Sequence, residues 1–204
     1  MRRLAEHHRV LAVQDTTEFD FSHHPKTKGL GPISVPSHIG FELHSALCVS
    51  LEGVPLGAIH QQTWVRDPQD VGKAKRRRQL DTADKESQRR LSALDGTLAA
   101  IPQSVEVVTV ADSEGDIFDL FARERRPGAE LLIRATHNRR VSDEESYLWP
   151  AIRHVAPVGQ LVVELGRRED TPPREAKLTL RFAALEIQPP RKQSSAYAGT
   201  AIGG

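Results

Sequence analysis

Two aspartates, Asp15 and Asp112, carry the surroundings that suggest chemistry. Asp112 follows Val105-Glu106-Val107-Val108-Thr109-Val110-Ala111, a short β-branched run that reads as a buried strand. Beyond it come Ser113-Glu114-Gly115-Asp116 and the apolar Ile117, Phe118, Leu120 and Phe121, where the pattern turns helical. Asp112 therefore stands at the carboxyl end of a strand, the place where ligands bind in open α/β sheets. Asp15 closes a similar run, Val10-Leu11-Ala12-Val13-Gln14, and Thr16-Thr17 follow it. With the two strands side by side, the carboxylates converge despite a sequence separation of 97 (residue 15 to residue 112). Converging carboxylates repel unless a cation neutralises them. A hard divalent ion such as Mg²⁺ accepts carboxylate oxygens and keeps water and phosphate oxygens as its other ligands. Two such ions, about 3.5–4 Å apart, activate an attacking oxygen and stabilise a leaving one in phosphodiester chemistry. The competing reading of Asp112 is a helix N-cap, with Glu114 and Asp116 favoured by the positive helix end.

The rest of the composition bounds the setting. The 204 residues suffice for one sizeable domain or a domain with an insertion. Basic residues number 28 against 27 acidic, so the net charge of +1 neither demands nor excludes a nucleic-acid partner; clustering decides that. The basic residues do cluster, at Lys73 to Arg78, Arg89-Arg90, Arg123 to Arg126, Arg139-Arg140 and Arg167-Arg168. A single cysteine, Cys48, excludes an intrachain disulfide and a Cys-rich zinc site, and fits a reducing compartment. No apolar run approaches a membrane span and no signal-peptide core follows Met1, so a cytoplasmic location is expected.

The elements that must position the two acids follow in order. Residues 1–9 form a basic, His-rich N-terminal segment. Val10 to Asp15 reads as a strand ending in an acid, and residues 22–40 as a long loop. Phe41 to Leu51 and Val54 to Val65 read as a hairpin around Glu52-Gly53. Leu91, Leu94, Leu98 and Ile101 recur at helical steps in a helix that begins near Ala83, is interrupted or kinked at Asp95-Gly96 and ends at Pro102. The strand at 105–111 precedes a helix reaching Arg126, and Ala129 to Ala135 is a further short strand. Leu161 to Leu165 and Ala176 to Ala183 read as an antiparallel hairpin. The composition after Pro190 predicts a disordered tail.

Strand, two-stranded hairpin, helix, strand, helix, strand, with acids closing the first and fourth strands, is a ribonuclease-H-like order. The predicted fold is thus α/β, a mixed sheet flanked by helices with a partial antiparallel insertion near the C-terminus. The expected organisation is a 1–9 segment, a 10–140 core, a 141–190 partial β-rich insertion and a 191–204 tail. In that order come Val13-Gln14-Asp15-Thr16-Thr17, His44-Ser45-Ala46-Leu47, Lys85-Glu86-Ser87, Asp112-Ser113-Glu114-Gly115-Asp116-Ile117 and Arg134-Ala135-Thr136-His137-Asn138-Arg139-Arg140. Together these pieces resemble the catalytic core of IS4-family DDE transposases, in particular the Tn5 transposase group, over roughly residues 10–190.

The resemblance implies metal-dependent DNA cleavage and strand transfer, with two Mg²⁺ or Mn²⁺ ions in a complete site and double-stranded transposon ends as partner. It implies Asp15 and Asp112 as the first two metal-binding catalytic carboxylates, and Arg134, His137, Arg140 and Lys85 beside DNA. A homodimer on DNA is implied for a complete protein. Two positions depart from the pattern: Ser113 stands where many relatives have Arg, and Arg90 where the Tn5 member has Trp.

The third catalytic carboxylate has no counterpart in this sequence: no Tyr-Arg-x-x-Glu pattern is present, and the sequence begins almost at the first strand, before which the family has an end-recognition domain. The expectation is therefore a truncated or frame-disrupted fragment. Three functions follow: a DDE transposase, an inactive remnant that binds DNA or interferes with a full-length protein, and a stand-alone ribonuclease-H-like nuclease. His23-His24 and the Lys73–Arg78 run read as solvated surface, and Trp64 and Trp149 as packing residues. A sheet lacking a covering helix would leave an apolar face exposed.

Overall fold

Alternating buried and half-buried positions along β1 (Arg9–Asp20) set the frame of the molecule. The computed structural model describes residues 2–35, 37–68, 88–142, 145–168 and 171–191. Lys85, the Lys-Glu-Ser stretch, the basic run at 73–78 and the tail from 192 onward lie outside the described residues. The chain divides into two units, Met1–Thr136 and His137–Gly204.

In the first unit, β2 (Gly31–Pro32), β3 (Ile39–Val49), β4 (Pro55–Trp64), β5 (Glu106–Ala111) and β6 (Ala129–Ile133) join β1 in one mixed sheet. The order is β2-β3-β1-β5-β6, with β4 also paired to β3. β1 runs antiparallel to β3 and parallel to β5, and β5 runs parallel to β6. Register shifts between β3 and β4, at Ala46/Leu47 and Cys48/Val49, mark bulges that increase local twist and curl the sheet. Gly57, opposite Cys48, has φ 136°, a conformation that glycine adopts without steric cost.

Among the described residues of this unit the α-helices are α1 (Gln88–Ala100) and α2 (Phe118–Ala122). Leu91 and Leu94 of α1 pack with Leu120 of α2 against Leu131 and Ile133 of β6. Val10, Ala12, Cys48, Val107 and Ala129 continue this face of the sheet and bury Ile101 and Val105. Leu4, in a 3-10 turn over Arg2–Glu6, is 6% exposed and belongs to the same core. The N-terminal segment thus supplies a core residue that its basic, His-rich composition conceals. Burial of the Cys48 thiol raises its pKa.

Strand alternation places Leu11, Val13, Leu47, Val108, Val110 and Leu132 on the opposite face. Leu47 is 38% and Leu132 61% exposed, and the other four are half-buried. Both α1 and α2 pack on the first face, so this second face carries apolar side chains in contact with solvent.

Three of the elements expected in the first unit differ from their sequence-based expectation, and β2 lies within the segment 22–40 expected to be a loop. β1 does not stop at Asp15: its pairing with β3 continues from Asp15↔Ser45 to Asp20↔Gly40. Phe19 stacks on Phe41 at 4.8 Å between ring centroids, which offsets the poor strand preference of the acids around it. α1 runs unbroken through Asp95-Gly96. The helix expected up to Arg126 is a 3-10 turn (Ser113–Gly115) followed by the five-residue α2, which ends at Ala122.

The second unit holds α3 (Leu148–His154) and a hairpin of β7 (Gly159–Leu165) and β8 (Arg174–Leu180). The Asn138 side chain accepts the backbone N–H of Trp149 and so caps the start of α3. Leu161 lies opposite Leu178, and Leu180 shares their side of the ribbon. Among the described residues, no helix is long and apolar enough to cross a membrane.

Candidate functional site

The parallel ladder between β1 and β5 ends at the pair Gln14↔Ala111. Asp15 and Asp112 are each the next residue, so they occupy corresponding positions on neighbouring strands, which lie about 5 Å apart. Asp15 is exposed and still held in the β1–β3 ladder opposite Ser45. Asp112 has left the sheet. Its backbone is extended (φ −73°, ψ −165°), and its Oδ1 accepts the N–H of Glu114 at 3.1 Å, capping the 3-10 turn. The capping role considered for Asp112 is therefore real. It occupies one oxygen and leaves the side chain 52% exposed.

Arg90 approaches this end from α1. Its Nη2 donates to Glu114 Oε2 at 2.7 Å and lies 3.4 Å from Asp112 Oδ1. The Arg90 side chain is 2% exposed, whereas Glu114 is 62% exposed. A buried cation thus reaches outward to two solvent-facing carboxylates. Glu114 and Asp116, neighbours in sequence, separate in role: Asp116 is 4% exposed and its Oδ2 accepts the N–H of Thr136 at 2.7 Å. That bond, with Arg134 N–H donating to Ala111 O at 3.1 Å, fixes the segment after β6 beside Asp112. The exposed Arg134 consequently belongs to the same sheet end.

Behind the two aspartates the covered face is polar, a feature the sequence reading did not identify. His44 is fully buried, with Nδ1 2.9 Å from Thr16 Oγ1 and Nε2 3.2 Å from Gln14 Oε1. A neutral ring protonated on Nε2 satisfies both contacts, accepting from the hydroxyl and donating to the amide oxygen. Burial, reinforced by the charges of Arg90 and Arg89 and by His60, pushes the His44 pKa down to about 3. Next to it, Glu42 is buried with Arg66 Nη2 2.6 Å and Arg89 Nη1 3.9 Å from its oxygens. Arg89 also lies over the Trp64 ring at 4.1 Å, so Trp64 is a packing residue. The Arg89-Arg90 pair, basic on paper, is interior.

The cluster Arg123 to Arg126 is likewise structural in large part. Arg123 makes a two-pronged contact with Asp95, at 3.0 and 2.5 Å. Arg125 donates to the carbonyls of Leu120, Phe121, Arg123 and Ala129. Arg126 donates to those of Pro102, Gln103 and Val105.

The expected DNA-contact residues belong to different units. Arg134 is in the first unit. His137 and Arg140, both exposed, belong to the second, where Arg140 bridges to Tyr147 and its carbonyl accepts the N–H of Gln188. Asp15 and Asp112 fit a hard cation by donor type and accessibility, and Glu114 lies two residues beyond Asp112. Among the described residues, no group of three or more His, Cys, Asp or Glu side chains could hold a metal ion. A search of protein-family models and of curated proteins finds no match to this chain.

Proposed function

We propose that the first unit is a ribonuclease-H-like core of the IS4-family DDE transposase type, whose chemistry is divalent-ion-dependent cleavage and transfer of DNA strands. The observation that carries this reading is the register of β1 against β5, with Asp15 and Asp112 at corresponding positions just past Gln14↔Ala111. A parallel ladder of central strands with an acid next on each strand beyond its last pair, flanked by an antiparallel β3–β4 hairpin, supports it further. Asp15 and Asp112 would hold the ion, and a bound ion supplies the charge neutralisation and polarised oxygen that phosphodiester chemistry needs. Arg134 is fixed at the same sheet end by its N–H bond to Ala111 O, and a basic side chain there supports contact with a phosphate backbone.

A second reading is a DNA-binding remnant without strand cleavage. It is favoured by one observation, the lack of a three-ligand group among the described residues. Incubation with Mn²⁺ and double-stranded DNA separates the two. Cleavage that is lost in Asp112→Asn and Asp15→Asn supports the enzyme. DNA retention without cleavage supports the remnant, and neither activity removes both.

A further inference from the structure

Arg90 is a costly residue where it stands. Its side chain is 2% exposed, and its Nη1 is buried without a hydrogen-bond partner among the described residues. An unmade buried hydrogen bond costs more than a made one returns, so burial of Arg90 stabilises the fold less than a fully paired guanidinium would. A well-packed apolar residue commonly does as well as, or better than, a buried charge. What Arg90 does have is an end aimed at Asp112 and Glu114. Its nearer contact is Glu114, at 2.7 Å, and its looser one is Asp112, at 3.4 Å.

We propose that Arg90 is the internal counter-cation of this site: its guanidinium and a divalent ion compete for the Asp112 carboxylate, and Glu114 retains the guanidinium when the ion binds. The proposal rests on the reading of Asp15 and Asp112 as an ion-binding pair. In the ion-free protein the arginine offsets the repulsion between Asp112 and its acidic neighbours. On loading, the ion takes over Asp112, and Arg90 needs only to give up its longer contact. The buried stem cannot swing into solvent, so Glu114 is the partner within reach. Arg90 thereby sets the ion's affinity through Asp112 and acts as a positioning residue.

The test is calorimetric titration of the full chain with Mg²⁺ and with Mn²⁺, in wild type, Arg90→Met, Arg90→Lys and Asp15→Asn. Removing the competing charge in Arg90→Met should tighten binding about tenfold, the scale of one charge-assisted contact to a half-exposed carboxylate. Arg90→Lys keeps a cation and should stay much closer to wild type. A purely structural arginine would instead give equal or weaker binding in Arg90→Met, which overturns the proposal. Should Arg90→Met fail to fold, the guanidinium nitrogen resonances of Arg90 in the wild-type protein provide the readout. They should shift with Mg²⁺ in step with occupancy, and unchanged resonances at saturation overturn the proposal. Wild-type binding lost in Asp15→Asn keeps the underlying ion-pair reading intact whatever Arg90 does. No binding to any variant removes that reading and the competition with it.

Discussion

Gly96 in α1 lies against the imidazole of His60 on β4, so closely that a Cβ on Gly96 would fall 2.3 Å from His60 Nδ1. α1 continues unbroken through Asp95-Gly96, and the missing side chain at Gly96 is what permits this approach. The glycine is there for close approach to the sheet, and α1 tolerates its poor helix preference.

Gly96→Ala should accordingly destabilise the protein by about 1 kcal/mol, although alanine is the better helix former by a similar amount. The imidazole ring has to move, and overpacking outweighs propensity. In a His60→Ala background the same substitution should become neutral or stabilising. Urea denaturation of the two single variants and the double variant measures the coupling.

The buried His44 predicts acid sensitivity above the carboxylate range. Its folded-state pKa of about 3 lies below the ordinary 6.5 of the unfolded chain. Between those values the unfolded state binds the extra proton, so stability rises with pH. It should be full above about pH 6.5 and fall on the order of 1 kcal/mol per pH unit on acidification toward pH 5. His44→Gln should flatten that slope. Denaturant midpoints at pH 7, 6 and 5 test it; equal slopes in both proteins would remove His44 as the cause.

The arginines after α2 should divide by what they hold. Arg126→Ala strips donors from the carbonyls of Pro102, Gln103 and Val105, and should cost about 1–3 kcal/mol. Arg123→Ala loses an exposed ion pair to Asp95 and should cost less than about 1 kcal/mol. Thermal melts rank the two. A larger loss in Arg123→Ala would contradict the hydrogen-bond pattern.

The strands were legible where apolar residues alternate or run together. β3, β4, β5, β6 and the β7–β8 hairpin all fall within a few residues of their expected positions. The second half of β1 was not legible, because Thr16 to Asp20 holds two acids, and what keeps it extended is a partner strand and the Phe19–Phe41 stack. Leu4 was missed because a lone apolar residue in a basic segment has no periodicity to reveal it. At the site, the adjacency of Asp15 and Asp112 could be expected from two acids ending two apolar runs. Arg90 could not: its role depends on the turn of α1 that aims it at Glu114, and sequence shows only one arginine of several. The polar interior around His44, Gln14 and Glu42 was equally hidden, since each sits in a strand whose apolar neighbours dominate the pattern.

The ladder that makes Asp15 and Asp112 neighbours also says when they meet. Asp15 finds Ser45 by closing a loop of 30 residues, and Asp112 by closing one of 97. The longer closure costs about 1 kcal/mol more chain entropy. In the simplest folding order the β1–β3–β4 meander therefore assembles first, and β5 docks on its open edge afterwards. The two aspartates, the pair on which the proposed chemistry depends, come together only when β5 docks.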